Sequence, residues 1–404
     1  MEVVHERCCG VDVHKKTVVA CVITPAGQQT RSFGTTTREL RTLADWLEAE
    51  GVTHVAMEST GVFWRPVSNV LDGRGLTLLV VNAQHIKAIP GRKTDVKDAA
   101  WIADLLRHGL LRGSRIPDRA QREQQELVRY RTRLLQERAQ VVQRIQKVLE
   151  GANIKLSAVL ADVVGVSGRA MLEALVAGTA DAEALAALAR GRLRAKHAAL
   201  TEALEGSVGP AQRVLLDSHL HQLDFLDGEI ARLSEEIAER FRPFEAALVR
   251  LDTIPGIGQR AAERILAEIG ADVSDFPTAG HLASWAGLCP GNHQSAGKRL
   301  SGRTRHGNTW LKAALVEAAW GAVHTRDCYL AALYHRLAAR RGAKRAIVAV
   351  AHALLVIVYH LLRDSTAYRE LGGNYFDERD REATARRSVR RLERLGFKVT
   401  LEVA

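Results

Sequence analysis

Hydrophobic positions fall in short strand-like runs through the first hundred residues and at helical spacing through most of the remainder. Cys8–Asp12 and Thr17–Thr24 are apolar runs joined by the polar turn His14-Lys15-Lys16, which predicts two strands, with a third near Gln29–Gly34. Thr37–Glu50 sets Leu40, Leu43, Trp46 and Leu47 at helical intervals. Val52–Glu58 then predicts a strand, Trp64–Leu71 a helix and Leu76–Val81 a short buried strand. Over 119–150 the texture changes. Leu127, Leu134, Val141 and Val148 recur every seven residues, as do Val128, Leu135, Val142 and Leu149. Leu216, Leu223, Ile230 and Ile237 repeat at the same interval. Such repeats predict long helices, paired as a coiled coil or an antiparallel arm. Shorter Ala- and Leu-rich helical pieces lie between them, over 157–206, with breaks at Gly165, Gly168 and Gly178. Farther on, Gln259–Ile269, Trp310–Val323 and Ala346–Leu362 read as helices, the last apolar enough for a core.

Three early strands followed by alternating helix and strand is the α/β order of an RNase H-like fold, where acidic residues gather at strand ends. Asp12 closes the first apolar run and Glu58 closes His54–Glu58. Asp95 and Asp98 stand three apart at the start of a helix-like stretch, a spacing that puts both on one helical face. Hard cations such as Mg²⁺ take oxygen ligands, and two of them about 3.5–4 Å apart can drive in-line attack at a phosphodiester. The four carboxylates therefore point to a polynucleotide-processing site.

Charge points the same way. Lys and Arg number 57 against 46 Asp and Glu, a net charge of +11 that favours a polyanionic partner. The five cysteines form no CxxC pair and are odd in number, which indicates neither a zinc module nor a disulfide framework and suits a reducing compartment. No apolar run reaches the roughly 18 residues of a membrane span, and the N-terminus lacks a basic region followed by an apolar one. A cytoplasmic protein of two or three domains is expected at 404 residues.

The C-terminal half holds a second set of candidates. In Ile254-Pro255-Gly256-Ile257-Gly258, Gly256 and Gly258 precede a helix and would let backbone N–H groups approach a phosphate, as in a helix-hairpin-helix; a plain turn fits the same residues. Ser295 lies among small residues with Lys298, Arg303 and Arg305 nearby. A serine nucleophile for phosphoryl transfer needs an open hydroxyl, cations for the phosphate charge and a proton acceptor. A basic loop in which Ser295 merely donates to a phosphate is the competing reading. His293 is available as a base or as a phosphate contact, and His306 has no partner at ligand spacing. Arg129, Arg131, Arg133, Arg138 and Arg144 form either a solvated helix face or a track for a phosphate backbone. The charge-dense tail from Tyr368 is expected to be partly disordered or to hold nucleic acid.

Together these segments resemble a known family. Gly10-Val11-Asp12-Val13-His14-Lys15, Met57-Glu58-Ser59-Thr60-Gly61 and Lys93-Thr94-Asp95-Val96-Lys97-Asp98-Ala99 resemble the DEDD site of an insertion-sequence transposase family that includes the Piv-type DNA invertases, some members of which are guided by a bridge RNA. Gly287-Leu288-Cys289-Pro290, Gln294-Ser295-Ala296-Gly297-Lys298 and Arg305-His306-Gly307-Asn308 resemble its C-terminal half. The resemblance implies a RuvC-like, RNase H-like catalytic domain over 1–115 and a helical coiled-coil linker and oligomerisation region over 116–245. A helical transposase domain carrying the serine would follow over 246–365, then a basic tail over 366–404. It further implies that Asp12, Glu58, Asp95 and Asp98 bind Mg²⁺ or Mn²⁺ and that Ser295 becomes linked to the cut strand. Implied partners are DNA (element ends and target), a noncoding bridge RNA, and further copies of the chain in a dimer or tetramer. The family segment has two serines before two glycines; here Gln294 and Ala296 replace one of each, which leaves Ser295 as the sole serine. The methyl group of Ala296 is tolerated unless the backbone there needs positive φ. Two other functions use the same residues: a junction-resolving endonuclease with water as nucleophile, and an inactive nucleic-acid-binding regulator.

Overall fold

A computed structural model describes residues 2–59, 61–82, 86, 98–291 and 293–402, with the side chains of 293, 294, 299 and 300 excepted. The chain forms two compact units, Met1–Pro117 and Asp118–Ala404.

The first unit is a mixed α/β sheet. Its elements are β1 (Cys8–Val13), β2 (Thr17–Thr24), β3 (Gly27–Gly34), α1 (Thr37–Ala49), β4 (His54–Glu58), α2 (Trp64–Leu71), β5 (Thr77–Val81) and α3 (Asp98–Arg107). The strand order is β3-β2-β1-β4-β5. Short turns make β1, β2 and β3 an antiparallel meander, whereas the helical crossovers make β1–β4 and β4–β5 parallel. The predicted elements form, with β3 beginning two residues earlier and β4 two residues later than expected. Thr36 caps α1 by accepting from the Glu39 N–H.

Alternation along β1 divides two hydrophobic layers. Cys9, Val11 and Val13 pack with Val55 and Met57 of β4 against Leu40, Leu43 and Leu47 of α1 and Val67 and Leu71 of α2. Cys8 and Ala56 on the other face meet Ala99, Ile102, Ala103 and Leu106 of α3. Burial pushes the Cys8 thiol up to about 11. Helix α3 approaches so closely that a β-carbon on Gly10 would lie 2.2 Å from both the Ala99 carbonyl oxygen and the Ala103 nitrogen. It runs antiparallel to β1: the Arg107 carbonyl accepts from the N–H groups of Val4 and His5, and Ala99 sits over Gly10.

The second unit is almost wholly helical. Helix α4 (Arg119–Gly151) is followed by the shorter α5 (Leu156–Val159), α6 (Val166–Ala177), α7 (Ala182–Ala187) and α8 (His197–Leu204), then by α9 (Pro210–Phe241). Helices α4 and α9 pair antiparallel, as the partners Gln124 with Arg240, Arg131 with Ser234 and Arg138 with Asp227 show. The whole α9 repeat of Leu216, Leu223, Ile230 and Ile237 is buried, together with Leu220, Leu226 and Leu233. On α4 the two repeats share the seam: Val128, Leu134, Val141 and Leu149 are buried, and Leu127, Leu135, Val142 and Val148 flank them half-buried.

The arginines of α4 divide: Arg129, Arg131 and Arg138 are committed to ion pairs within the unit, whereas Arg133 and Arg144 lie on an exposed face. Arg131 is 2% exposed and pairs at 2.5 Å with equally buried Glu263; Arg129 makes two 2.7 Å bonds to buried Glu268; Arg138 makes a two-point contact with Asp227; Arg133 lies over the Trp310 ring. Of the five, Arg133 and Arg144 are exposed and make no ion pair among the described residues. A helix that carries charge into a core must meet the opposite charge there, because an unpaired buried ion costs several kcal/mol, roughly 3–5 when one partner is removed.

The remaining elements are α10 (Glu245–Asp252), α11 (Gln259–Ile269), α12 (Ala279–Trp285), the hairpin β6 (His293–Ser295) and β7 (Lys298–Ser301), α13 (Thr309–Val323), α14 (Tyr329–Arg341), α15 (Ala343–Asp364), α16 (Tyr375–Arg379) and α17 (Arg381–Arg394). Helix α15 corrects one expectation: it is long and apolar enough to cross a membrane. Its apolar face is nevertheless used inside the unit, where Val350, Ala351, Leu354, Leu355 and Val358 are fully buried and the Tyr359 hydroxyl donates to the Phe276 carbonyl at 2.9 Å. The start of the tail packs as well. Glu370 accepts from the Tyr329 N–H, and Tyr375 and Phe376 pack on the Tyr329 ring. Helix α17 buries no residue.

Two changes test this packing by denaturant unfolding. Gly10→Ala is expected to destabilise the first unit by at least about 1–3 kcal/mol, since backbone atoms must move to admit the methyl group. Glu263→Ala is expected to cost about 3–5 kcal/mol in the second unit by leaving Arg131 charged and unpaired.

Candidate functional site

The parallel β1–β4 register pairs Gly10 with Ala56 and Val11 with Met57. The next pair in phase is Asp12 beside Glu58, at the carboxyl ends of neighbouring strands and on the face that α3 covers. Asp98 is the first residue of α3, and the antiparallel run of that helix along β1 brings it toward the Asp12 end. A carboxylate there also meets the positive end of the helix dipole. Asp12, Glu58 and Asp98 are all half-buried. Asp95 lies outside the described residues.

His14, which the sequence places in the turn after β1, has its Nε2 3.0 Å from an Asp12 carboxylate oxygen. The signal was its position two residues after Asp12, which returns it to the same side of an extended chain. Among the described residues no three His, Cys, Asp or Glu side chains form a ready metal cluster. The donors on this face are nonetheless carboxylate oxygens from three elements, the chemistry a hard divalent ion takes.

In the second unit Ser295 ends β6 and pairs with Lys298 across a two-residue turn. Ala296 and Gly297 both have positive φ, 47° and 75°, so the turn is type I′. Alanine therefore occupies a left-handed position, the case in which its methyl group is not free of cost. Ser295, Lys298, Arg303 and Arg305 are all exposed. The foot of the hairpin is held by a Pro290–Thr304 bridge and by a 2.8 Å bond from the Gly291 N–H to the Arg303 carbonyl. Lys312 of α13 adds bonds to the Gly287 carbonyl and the Thr304 hydroxyl.

Other motif residues have structural partners. Asn308 caps α13 by accepting from the N–H groups of Trp310 and Leu311, and its amide donates to Glu268 at 2.6 Å. Gly256, with φ 82°, packs against α13, where a β-carbon would lie 2.2 Å from the Ala318 carbonyl oxygen. That contact accounts for the glycine without a ligand. Gly258 precedes α11 and faces open space. The His293 side chain lies outside the described residues, and His306 is exposed.

Residues 9–154 match the DEDD-type IS110 transposase model, and residues 249–335 match the transposase model of the IS116/IS110/IS902 family. The chain belongs to the IS110 family of transposases. It is 28% identical to a 43.6 kDa protein of insertion element IS110 from Streptomyces coelicolor, over 89% of this chain and 94% of that one. The transposase of element IS1111A from Coxiella burnetii is 24% identical over 74% of each chain. The pilin gene-inverting protein of Moraxella lacunata is 24% identical over 89% of this chain and 96% of its own length. The transposase is thus an enzyme of DNA strand cleavage and rejoining, and its two matched regions contain the two groups of candidate residues.

The strained turn is directly testable. Ala296→Gly is expected to stabilise the hairpin by about 1 kcal/mol, read as slower amide exchange over 293–301, because glycine adopts the left-handed region without steric cost.

Proposed function

We propose that this transposase is a metal-dependent site-specific recombinase with Ser295 as nucleophile. The observation that carries the reading is the β1–β4 register, which sets Asp12 and Glu58 side by side beneath the helix headed by Asp98. The strand order β3-β2-β1-β4-β5 supports an RNase H-like assignment for the first unit, and the long paired helices support a coiled-coil region between catalytic ends. The domain division that follows is 1–115, 116–245, 246–365 and a basic tail over 366–404.

In this reading Asp12, Glu58, Asp95 and Asp98 hold Mg²⁺ or Mn²⁺. When bound, the ion supplies Lewis-acid polarisation of the scissile phosphate. His14 orients the Asp12 carboxylate through its 3.0 Å contact. The Ser295 oxygen bonds to phosphorus, the bond to the 3′ oxygen breaks, and the serine proton passes overall to the released 3′-hydroxyl. The phosphoserine ester keeps the strand activated, so rejoining to a new partner needs no ATP. Lys298, Arg303 and Arg305 neutralise phosphate charge, and the turn at Gly256 and Gly258 steadies the DNA backbone.

Exchange between two duplexes requires more than one such centre, hence a dimer or tetramer, with α4 and α9 as the contact. Target choice is delegated to a bridge RNA, and the enzyme works in the cytoplasm. A junction-resolving nuclease using water would hydrolyse branched DNA with no covalent species.

The test is incubation of the protein with element ends, divalent metal and candidate RNA, followed by denaturing electrophoresis. A covalent protein–DNA species is expected for the wild type, abolished in Ser295→Ala with DNA binding intact and absent when the metal is chelated. An adduct that persists in Ser295→Ala removes Ser295 from this role.

A further inference from the structure

A cavity of about 930 Å³ opens beside the foot of the Ser295 hairpin. One wall is Leu288, Pro290 and the segment Ser301–Thr304, which continues directly from β7. The other wall is Arg341 at the end of α14 and one face of the first turns of α15, where positions 345 and 349 and positions 344, 348 and 352 recur at intervals of four. Chemistry changes along that face. Arg341, Lys344 and Arg345 are exposed, as is Arg303 across from them, and they form the mouth. Leu288 is buried and Val348, Ala349 and His352 are half-buried, forming an aliphatic floor with one imidazole, and Pro290 is exposed at its edge.

The four cations at the mouth make no ion pair among the described residues. That separates them from Arg129, Arg131 and Arg138, whose charges are matched internally. Uncompensated positive charge at a rim draws an anion from outside. The floor asks for something else. Burial lowers the His352 pKa, so its ring is neutral at ordinary pH and offers one donor and one acceptor beside aliphatic carbon. A flat heteroaromatic ring with a polar edge matches that floor, and a phosphate joined to it matches the rim.

We propose that this cavity receives an unpaired nucleotide of a strand lying along the Ser295 hairpin, with its phosphates on Arg303, Arg341, Lys344 and Arg345 and its base over Val348 and Ala349 against His352. The base must be out of its duplex, since paired and stacked bases present neither a free face nor a free pairing edge to a concave site. The volume exceeds one nucleotide and accommodates a step of two. The proposal rests on the recombinase reading only in naming the hairpin strand as the neighbour.

The experiment uses full-length Ser295→Ala protein, so that no strand transfer complicates binding. Oligonucleotides of one sequence, as single-stranded DNA, single-stranded RNA and duplex DNA, carry 2-aminopurine at successive positions, and affinity is read by anisotropy. Ala349→Trp fills the floor; the second variant, Lys344→Gln with Arg345→Gln, alters only exposed charge and leaves the core untouched. Ala349→Trp is expected to weaken binding of at least one single strand tenfold or more while duplex affinity stays within twofold. The double variant is expected to flatten the salt dependence for that strand by roughly 0.7 per charge removed. A 2-aminopurine signal change at one or two adjacent positions, lost in Ala349→Trp, supports the site, and the strand that shows it identifies the source as DNA or RNA. Unchanged binding of both single strands in both variants overturns the proposal, as does equal loss for single strand and duplex. These readouts do not depend on a covalent adduct, so failure here leaves the role of Ser295 standing, and failure of the adduct experiment leaves the cavity decided by its own data.

Discussion

Helix α3 lies so close to β1 that residue 10 has no room for a β-carbon, and the geometry of the first unit follows from that contact. Close approach fixes the helix over the strand without intervening side chains, so its axial position has little freedom. Its direction is set by the bonds from Val4 and His5 to the Arg107 carbonyl. With both fixed, Asp98 is carried to the end of the sheet where the parallel register aligns Asp12 with Glu58. A looser helix would leave the position of Asp98 along β1 unfixed. The tight contact makes one face of one sheet end acidic.

The second unit spends its charge differently. Arg129 and Arg131 join α4 to α11 through buried Glu268 and Glu263, and Asn308 ties the same Glu268 to the start of α13. These side chains resemble nucleic-acid contacts when read along the chain, but they are satisfied inside the protein. Cations that remain uncommitted collect instead at the hairpin and around the neighbouring cavity, where Arg303, Arg341, Lys344 and Arg345 face solvent. A net charge of +11 therefore understates how unevenly positive charge is offered to a partner.

At the hairpin, strain and exposure coincide. A two-residue turn with both φ values positive gives the twist that antiparallel strands need, and Ala296 bears a steric cost there that glycine would avoid. The turn holds Ser295 at the end of β6 with its side chain open to solvent, directly across from Lys298. An open hydroxyl opposite a cation is the arrangement the proposed chemistry requires.

Sequence alone determined the strands and helices of the first unit, because apolar runs of period two and stripes of helical period record directly which side of each element is buried. It also determined the long helices, through the seven-residue spacing of Leu216, Leu223, Ile230 and Ile237, and the acids that close β1 and β4. The partners of α4's arginines, the packing role of Gly256 and the convergence of α15 with the hairpin around a cavity were decided only by tertiary structure, whereas the burial of α15 was already legible in its apolar run. The reason is physical. Periodicity reports that a face is buried or charged, whereas which carboxylate, backbone or loop meets that face depends on contacts between residues far apart in the chain, such as Arg131 with Glu263 or Asn308 with Glu268.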